Sequence, residues 1–196
     1  MMKTKMLITG GTRSGKSRFG QETAAKISPQ GRVLYIATAR VWDEEMAVRV
    51  KKHQDSRPAS WDTYEGYQDL GTRLIQWGQQ YETVLIDCVT MLLTNGIFDR
   101  IGDQDPDTLT KEQVAELEEE AATTIQELIR GIQETACNVV LITNELGSGV
   151  VPEHLLGRVF RDMAGRANQM LAQAMPQVCL MVCGLPLMVK GDQPCS

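Results

Sequence analysis

Apolar residues gather in five short runs bounded by turn-forming residues: KMLITGG (5–11), RVLYIATA (32–39), TVLIDCVT (83–90), NVVLITNE (138–145) and QVCLMVCGLPLMVK (177–190). The first four are nearly continuous in apolar character rather than alternating. That is the pattern of strands buried on both faces, as in a parallel sheet. Between the runs the spacing shifts to threes and fours, which predicts helices over 16–27, 43–54, 68–80, 112–135 and 157–174. KEQVAELEEEAATTIQELIRGIQ is the clearest of these, with its EEE run on a solvated face. DRIGDQDPDTLTK (99–111), rich in Asp and Gly, reads as an acidic loop. Strand and helix alternate, so the expected class is α/β, a mainly parallel central sheet flanked by helices. No repeat or linker-like stretch divides the chain, and residues 1–196 are expected to form one domain.

Composition narrows function by exclusion. A formal net charge of −5 argues against a general nucleic-acid binder, which would carry a basic footprint. No apolar stretch approaches the roughly 18 residues that span a bilayer, and MMKTKMLITGG is too short for a signal-peptide core. Cysteines fall at 88, 137, 179, 183 and 195 without a C-x-x-C pair, so a reduced, cytoplasmic protein is expected.

GGTRSGKS (10–17) brings in chemistry. Gly10, Gly15, Lys16 and Ser17 fit G-x-x-x-x-G-K-[ST], and the motif joins the first strand to a helix, as it requires. Glycines allow backbone N–H groups to curl around phosphate oxygens, and the helix N-terminus adds favourable potential. Lys16 neutralises β- and γ-phosphate charge, and the Ser17 hydroxyl is a ligand for Mg²⁺. A carboxylate should complete the metal shell at the end of a later buried strand, and TVLID places Asp87 there. These residues imply a nucleoside triphosphate bound with Mg²⁺, which kinases, GTPases, ATPases and transferases share.

One of the two histidines lies in RVKKHQDSRP (49–58). The preceding DEEMAVRVKKHQ has acidic residues in its first turn and basic ones in its last, as a helix dipole prefers, which puts His53 at a helix C-terminus. Alone, His53 reads more readily as a surface residue at a helix end than as a catalyst, with a phosphate contact or a nucleophile as the other readings. Asn144 and Glu145 end a strand at the sheet edge where α/β ligands bind. Arg161, Asp162, Arg166 and Asn168 in RDMAGRAN fit either a ligand or subunit contact or plain helix-surface pairing. His154 reads as a solvated residue at a helix start.

GGTRSGKS, VLYIATA, DEEMAVRVKKHQDSRPASWDTYE, LIDCVT, TNELGSGVVPE and FRDMAGRANQ, in this order from about residue 6 to about 189, closely resemble one family. It is the bifunctional adenosylcobinamide kinase/adenosylcobinamide-phosphate guanylyltransferase family of cobalamin biosynthesis. G-x-x-x-x-G-K-S is widely shared, whereas H-x-x-x-R-P-x-x-W, VVPE and FRDxxGRxNQ in this order are far more specific. The resemblance implies a P-loop NTPase fold of the RecA-like type. It implies phosphorylation of adenosylcobinamide with ATP or GTP, then transfer of GMP from GTP to adenosylcobinamide phosphate through a GMP–histidine intermediate. His53 matches the family's histidine. Catalytic roles fall to His53 and Lys16. Nucleotide contacts fall to Gly10, Gly11, Thr12, Arg13, Ser14, Gly15, Lys16 and Ser17, to Ala37, Thr38 and Ala39, to Gln54, Asp55, Ser56 and Arg57, and to Glu65 and Asp87. Ser17 and Asp87 fall in the metal shell. A homotrimer is implied as well.

The stretch after Asp87, CVTMLLTNGIFD, departs from the family at Leu92 and after Asn95, and the acidic loop varies in length among relatives. Two other readings stand beside this one. One is a P-loop kinase for a small metabolite with His53 incidental, and the other is a nucleotide-switched binding module.

Overall fold

The computed structural model describes residues 3–40, 44 and 57–192. Its elements are β1 (Lys5–Gly10), α1 (Lys16–Ile27), β2 (Val33–Ala37), β3 (Asp62–Glu65), α2 (Leu70–Trp77), β4 (Thr83–Asp87), α3 (Val89–Ile101), a 3₁₀ turn (Pro106–Thr108), α4 (Lys111–Glu134), β5 (Asn138–Ile142), α5 (Leu155–Ala174), β6 (Gln177–Val182) and β7 (Leu185–Lys190). The helix expected over 43–54 lies outside the described residues except for Glu44.

The strands form one seven-stranded sheet in the order β3-β2-β4-β5-β1-β6-β7. Every pairing is parallel except β6 with β7. β5 stands between β1, which leads into the glycine-rich loop, and β4, which ends at Asp87. That is the RecA-like arrangement.

The continuous apolar runs follow from burial on both sides. Leu7, Leu34, Ile36, Val84, Ile86, Val139 and Leu141 pack on one face with residues of α2, α3, α4 and α5. Met6, Ile8, Tyr35, Leu85, Val140 and Ile142 pack on the other with α1 and Trp61. Successive side chains point to opposite faces, so each run must be apolar at both parities. On the crowded face α2 and α4 meet backbone to backbone: a Cβ on Gly71 would sit 2.2 Å from the Glu127 carbonyl oxygen.

Three elements differ from the pattern-based reading. TVLIDCVT is not one strand, because β4 stops at Asp87 and Val89 opens α3, which the sequence pattern did not reveal. The apolar run passes from strand to helix without a polar break, and Asn95 and Gly96 imitate a turn. Asn95 is instead fully buried and donates from Nδ2 to the Thr38 carbonyl, 2.7 Å away. DTYE forms β3, an exposed edge strand whose shape comes from pairing with β2 rather than from its own pattern. Finally, QVCLMVCGLPLMVK folds back on itself. Cys183 (φ 52) and Gly184 (φ 83) make a two-residue turn with positive φ at both positions, as tight hairpins require.

The acidic stretch 99–111 is also more ordered than a loop, running from the end of α3 through the 3₁₀ turn to the start of α4. Thr110 and Gln113 form a reciprocal capping box there. The Gln113 N–H donates to Thr110 Oγ1 (3.2 Å) and the Thr110 N–H to Gln113 Oε1 (2.9 Å).

Candidate nucleotide site

The loop Gly10–Ser17 leaves β1 at the C-terminal edge of the sheet. Gly15, with φ 94, is the N-cap of α1. A Cβ on Gly10 would lie 2.6 Å from the Met181 carbonyl oxygen, so close packing on β6 requires glycine there. Neighbouring backbone braces the loop: the Gly184 N–H donates to the Ser14 carbonyl (3.0 Å) and the Glu145 N–H to the Gly10 carbonyl (2.9 Å). Gly11, Thr12 and Arg13 are exposed.

Lys16 is 8% exposed and its Nζ donates to the Gly11 carbonyl at 2.7 Å. Burial holds its pKa below the ordinary lysine value, opposed by the nearby Cys88 and Asp87. A cation kept among backbone groups beside a carboxylate is suited to meeting an arriving polyphosphate. The buried Ser14 Oγ has no hydrogen-bond partner among the described residues, an unspent polar group inside the loop.

Asp87 sits half-buried at the end of β4, in register with Ala37 of β2 and Ile142 of β5. Its Oδ2 accepts a 2.7 Å hydrogen bond from the Tyr35 hydroxyl. No cluster of three or more His, Cys, Asp or Glu forms a metal cage among the described residues. Mg²⁺ needs none, since it takes one or two protein oxygens and completes its shell with phosphates and water. The Ser17 hydroxyl and the Asp87 carboxylate are hard oxygen donors of that kind. Ser17 follows Lys16, whose charge Asp87 favours, and hard oxygens of this kind are the donor class that the ion takes.

Thr38 is fully buried, and its hydroxyl donates to the Cys88 carbonyl (2.7 Å) and accepts from the Cys88 N–H (2.8 Å). Its side chain ties the end of β2 to the start of α3, so any nucleotide contact from 37–39 falls to backbone or to the partly exposed Ala39. Arg57 stacks on Tyr35, with its Cζ 3.8 Å from the ring centroid. Arg57, Trp61, Thr63 and the exposed Glu65 line an open cavity of about 270 Å³ beside the sheet edge. His53, Gln54, Asp55 and Ser56 lie outside the described residues.

A larger cavity of about 380 Å³ lies between α3, α4 and the turn at 67–69, and Leu92 stands in its wall. At its rim Arg40 donates to Asp99 Oδ1 (2.6 Å) and to the Tyr67 hydroxyl (3.1 Å), and that hydroxyl donates to Asp99 Oδ2 (2.6 Å).

Most other residues of interest have partners within the chain. Asn168 donates to the Asn144 carbonyl (2.9 Å) and accepts from the Thr143 hydroxyl (2.7 Å), fastening α5 to the end of β5. Glu145 caps its own turn by accepting from the Gly147 N–H at 2.7 Å. Arg161 reaches the Gly147 carbonyl and Arg166 pairs with Glu118, while Asp162 is exposed. His154 is exposed at the start of α5, with Nδ1 3.1 Å from Asp107 Oδ2. Tyr35 is the site residue that sequence reasoning missed, since a tyrosine inside RVLYIATA signals only a buried strand.

Comparison with known proteins fits this geometry. The family model described as cobinamide kinase / cobinamide phosphate guanyltransferase matches residues 6–189. The chain is 44% identical over 185 residues to the bifunctional adenosylcobalamin biosynthesis protein CobU of Escherichia coli K12, covering 94% of this chain and 99% of that one. It is 42% identical to CobU of Salmonella typhimurium LT2, with the same coverage. It is 37% identical to CobP of Pseudomonas aeruginosa PAO1, covering 95% of this chain and 97% of that protein. Among solved structures, FlaH of Methanocaldococcus jannaschii aligns at TM-score 0.49 and 12% identity over 96% of this chain and 79% of its own. The KaiC-like protein PH0186 of Pyrococcus horikoshii OT3 aligns at TM-score 0.46 and 15% identity over 90% of this chain and 70% of its own. A family model spanning nearly the whole chain and full-length relatives above 30% identity together mean that this chain belongs to the cobinamide kinase/cobinamide phosphate guanyltransferase family.

Proposed function

We propose that residues 1–196 act as one cytoplasmic kinase and guanylyltransferase domain that makes adenosylcobinamide-GDP in two reactions. In the first, the substrate's aminopropanol hydroxyl attacks the γ-phosphorus of ATP or GTP, and the nucleoside diphosphate leaves. In the second, a neutral imidazole nitrogen of His53 attacks the α-phosphorus of GTP and pyrophosphate leaves, forming a phosphoramidate. A phosphate oxygen of adenosylcobinamide phosphate then attacks that phosphorus and His53 is released. Gly10 to Ser17 cradle the phosphates and Lys16 neutralises them. Ala37, Thr38, Ala39, Gln54, Asp55, Ser56, Arg57 and Glu65 complete the nucleotide site. Mg²⁺, held by Ser17 and Asp87, supplies charge neutralisation to the triphosphate.

The observation that carries this reading is the convergence of the braced phosphate loop, buried Lys16 and Asp87 on one sheet edge, with Arg57 on the same edge. Arg57 is four residues beyond His53, and four residues of chain reach at most about 14 Å. The H-x-x-x-R-P spacing that joins His53 to Arg57 in sequence supports its assignment as the nucleophile. Incubation with adenosylcobinamide, GTP and Mg²⁺ tests the proposal: the phosphate and then the GDP ester should appear by mass spectrometry. Formation of the phosphate alone would favour a plain kinase. For the implied homotrimer, β7 offers an exposed aliphatic row of Leu185, Leu187 and Val189. Sedimentation should find three times the 21.8 kDa chain mass.

A further inference from the structure

Tyr35 makes two contacts that meet nowhere else among the described residues. It lies in the middle of β2, paired with Leu85 of β4, and is 2% exposed. Its hydroxyl donates to Asp87 Oδ2 at 2.7 Å, which fixes one oxygen of the carboxylate and so aims the other. Its ring carries the Arg57 guanidinium at 3.8 Å. Few polar contacts compete for that guanidinium: Nη1 reaches Thr63 Oγ1 only at 3.4 Å, and the buried Nε has no partner among the described residues. Arg57 is therefore held chiefly by the aromatic face. A phenylalanine would fill the same core space on the α1 face, so packing alone does not account for a hydroxyl there.

We infer that Tyr35 is a positioning residue of the nucleotide site, its hydroxyl orienting Asp87 and its ring seating Arg57. The inference rests on the proposed roles of Asp87 and His53. Through Tyr35, the Asp87 carboxylate and the Arg57 guanidinium share one rigid support in the sheet. A shift in either is felt by the other.

Tyr35→Phe keeps the ring and removes the hydrogen bond, whereas Tyr35→Leu removes both. Three readouts separate the possibilities: the melting midpoint of the ligand-free protein, Mn²⁺ affinity by electron paramagnetic resonance with a non-hydrolysable GTP analogue, and the rate of GMP labelling at saturating Mg²⁺. Tyr35→Phe should weaken Mn²⁺ about three- to tenfold, as loss of one hydrogen bond to a charged group implies, and slow labelling less than Tyr35→Leu does. Tyr35→Leu should weaken Mn²⁺ similarly and slow labelling at least about tenfold, because Arg57 loses its seat. Unchanged Mn²⁺ affinity in Tyr35→Phe overturns the inference, even if its melting midpoint falls, because a merely structural role moves stability and not metal affinity. Tyr35→Phe decides the matter even if Tyr35→Leu does not fold. A wild-type protein that takes up no GMP contradicts the functional reading itself, before any variant is compared, and removes the inference with it.

Discussion

Lys16 holds its charge in a place that disfavours charge, with a backbone carbonyl at 2.7 Å and little water around it. That cost is offset when phosphate oxygens replace the carbonyl, so the ligand-free loop is poised for an anion. Lys16→Ala should therefore lower kcat/KM of both reactions by roughly 100-fold or more, corresponding to the several kcal/mol that such preorganised contacts supply. Steady-state kinetics of kinase and transferase with each triphosphate check this, and survival of both within threefold would place the triphosphate elsewhere. The loop was legible in the sequence because its glycines and lysine answer to backbone geometry, which is local. Tyr35 was not legible, because its role depends on Asp87 52 positions away and on a ring face that no spacing rule describes. Asn168 was legible only as a choice between contact and scaffold. Its bonds to Thr143 and Asn144 fasten α5 to the end of β5.

Elements with one strong local cause were the readable ones. α1 matches its expected bounds, and α4 does so within one residue at each end, the latter because three- and four-residue spacing and the Thr110–Gln113 box act within its own chain. β3 and α3 were hidden because tertiary partners create them: β3 borrows its pairing from β2, and α3 follows β4 inside one apolar run. The hairpin β6–β7 was read as one run because Cys183 gives no turn signal, and Gly184 alone carries it. Thr110→Ala tests the local cause of α4. It removes the acceptor for the Gln113 N–H and should cost about 1 kcal/mol, or a drop of about 2–4 °C in melting midpoint for a chain of this size. Because Thr110 lies outside the proposed site, transferase activity at 25 °C should be unchanged. A melting midpoint equal to wild type would mean that packing of Leu117, Ile125 and Leu128 alone fixes the helix.

At the scale of the molecule, the parallel sheet directs the ends of β1, β2, β3 and β4 to one edge, where α/β ligands bind. Gly10, Ala37, Glu65 and Asp87 are the last residues of those four strands. Residues scattered over the sequence thus become neighbours through topology, which alternation of strand and helix had already implied. Chain alternation could not supply the sheet order or the bracing of the phosphate loop by the Gly184 turn. Nor does it choose between a kinase and a guanylyltransferase. The most direct test is the mass of the protein, wild type and His53→Asn, after incubation with GTP and Mg²⁺ without corrinoid. The account predicts that the wild type gains one GMP through an acid-labile, base-stable phosphoramidate with release of pyrophosphate, and that His53→Asn gains none while still phosphorylating adenosylcobinamide. A base-stable GMP adduct that persists in His53→Asn, or a wild type that gains no GMP, would contradict it.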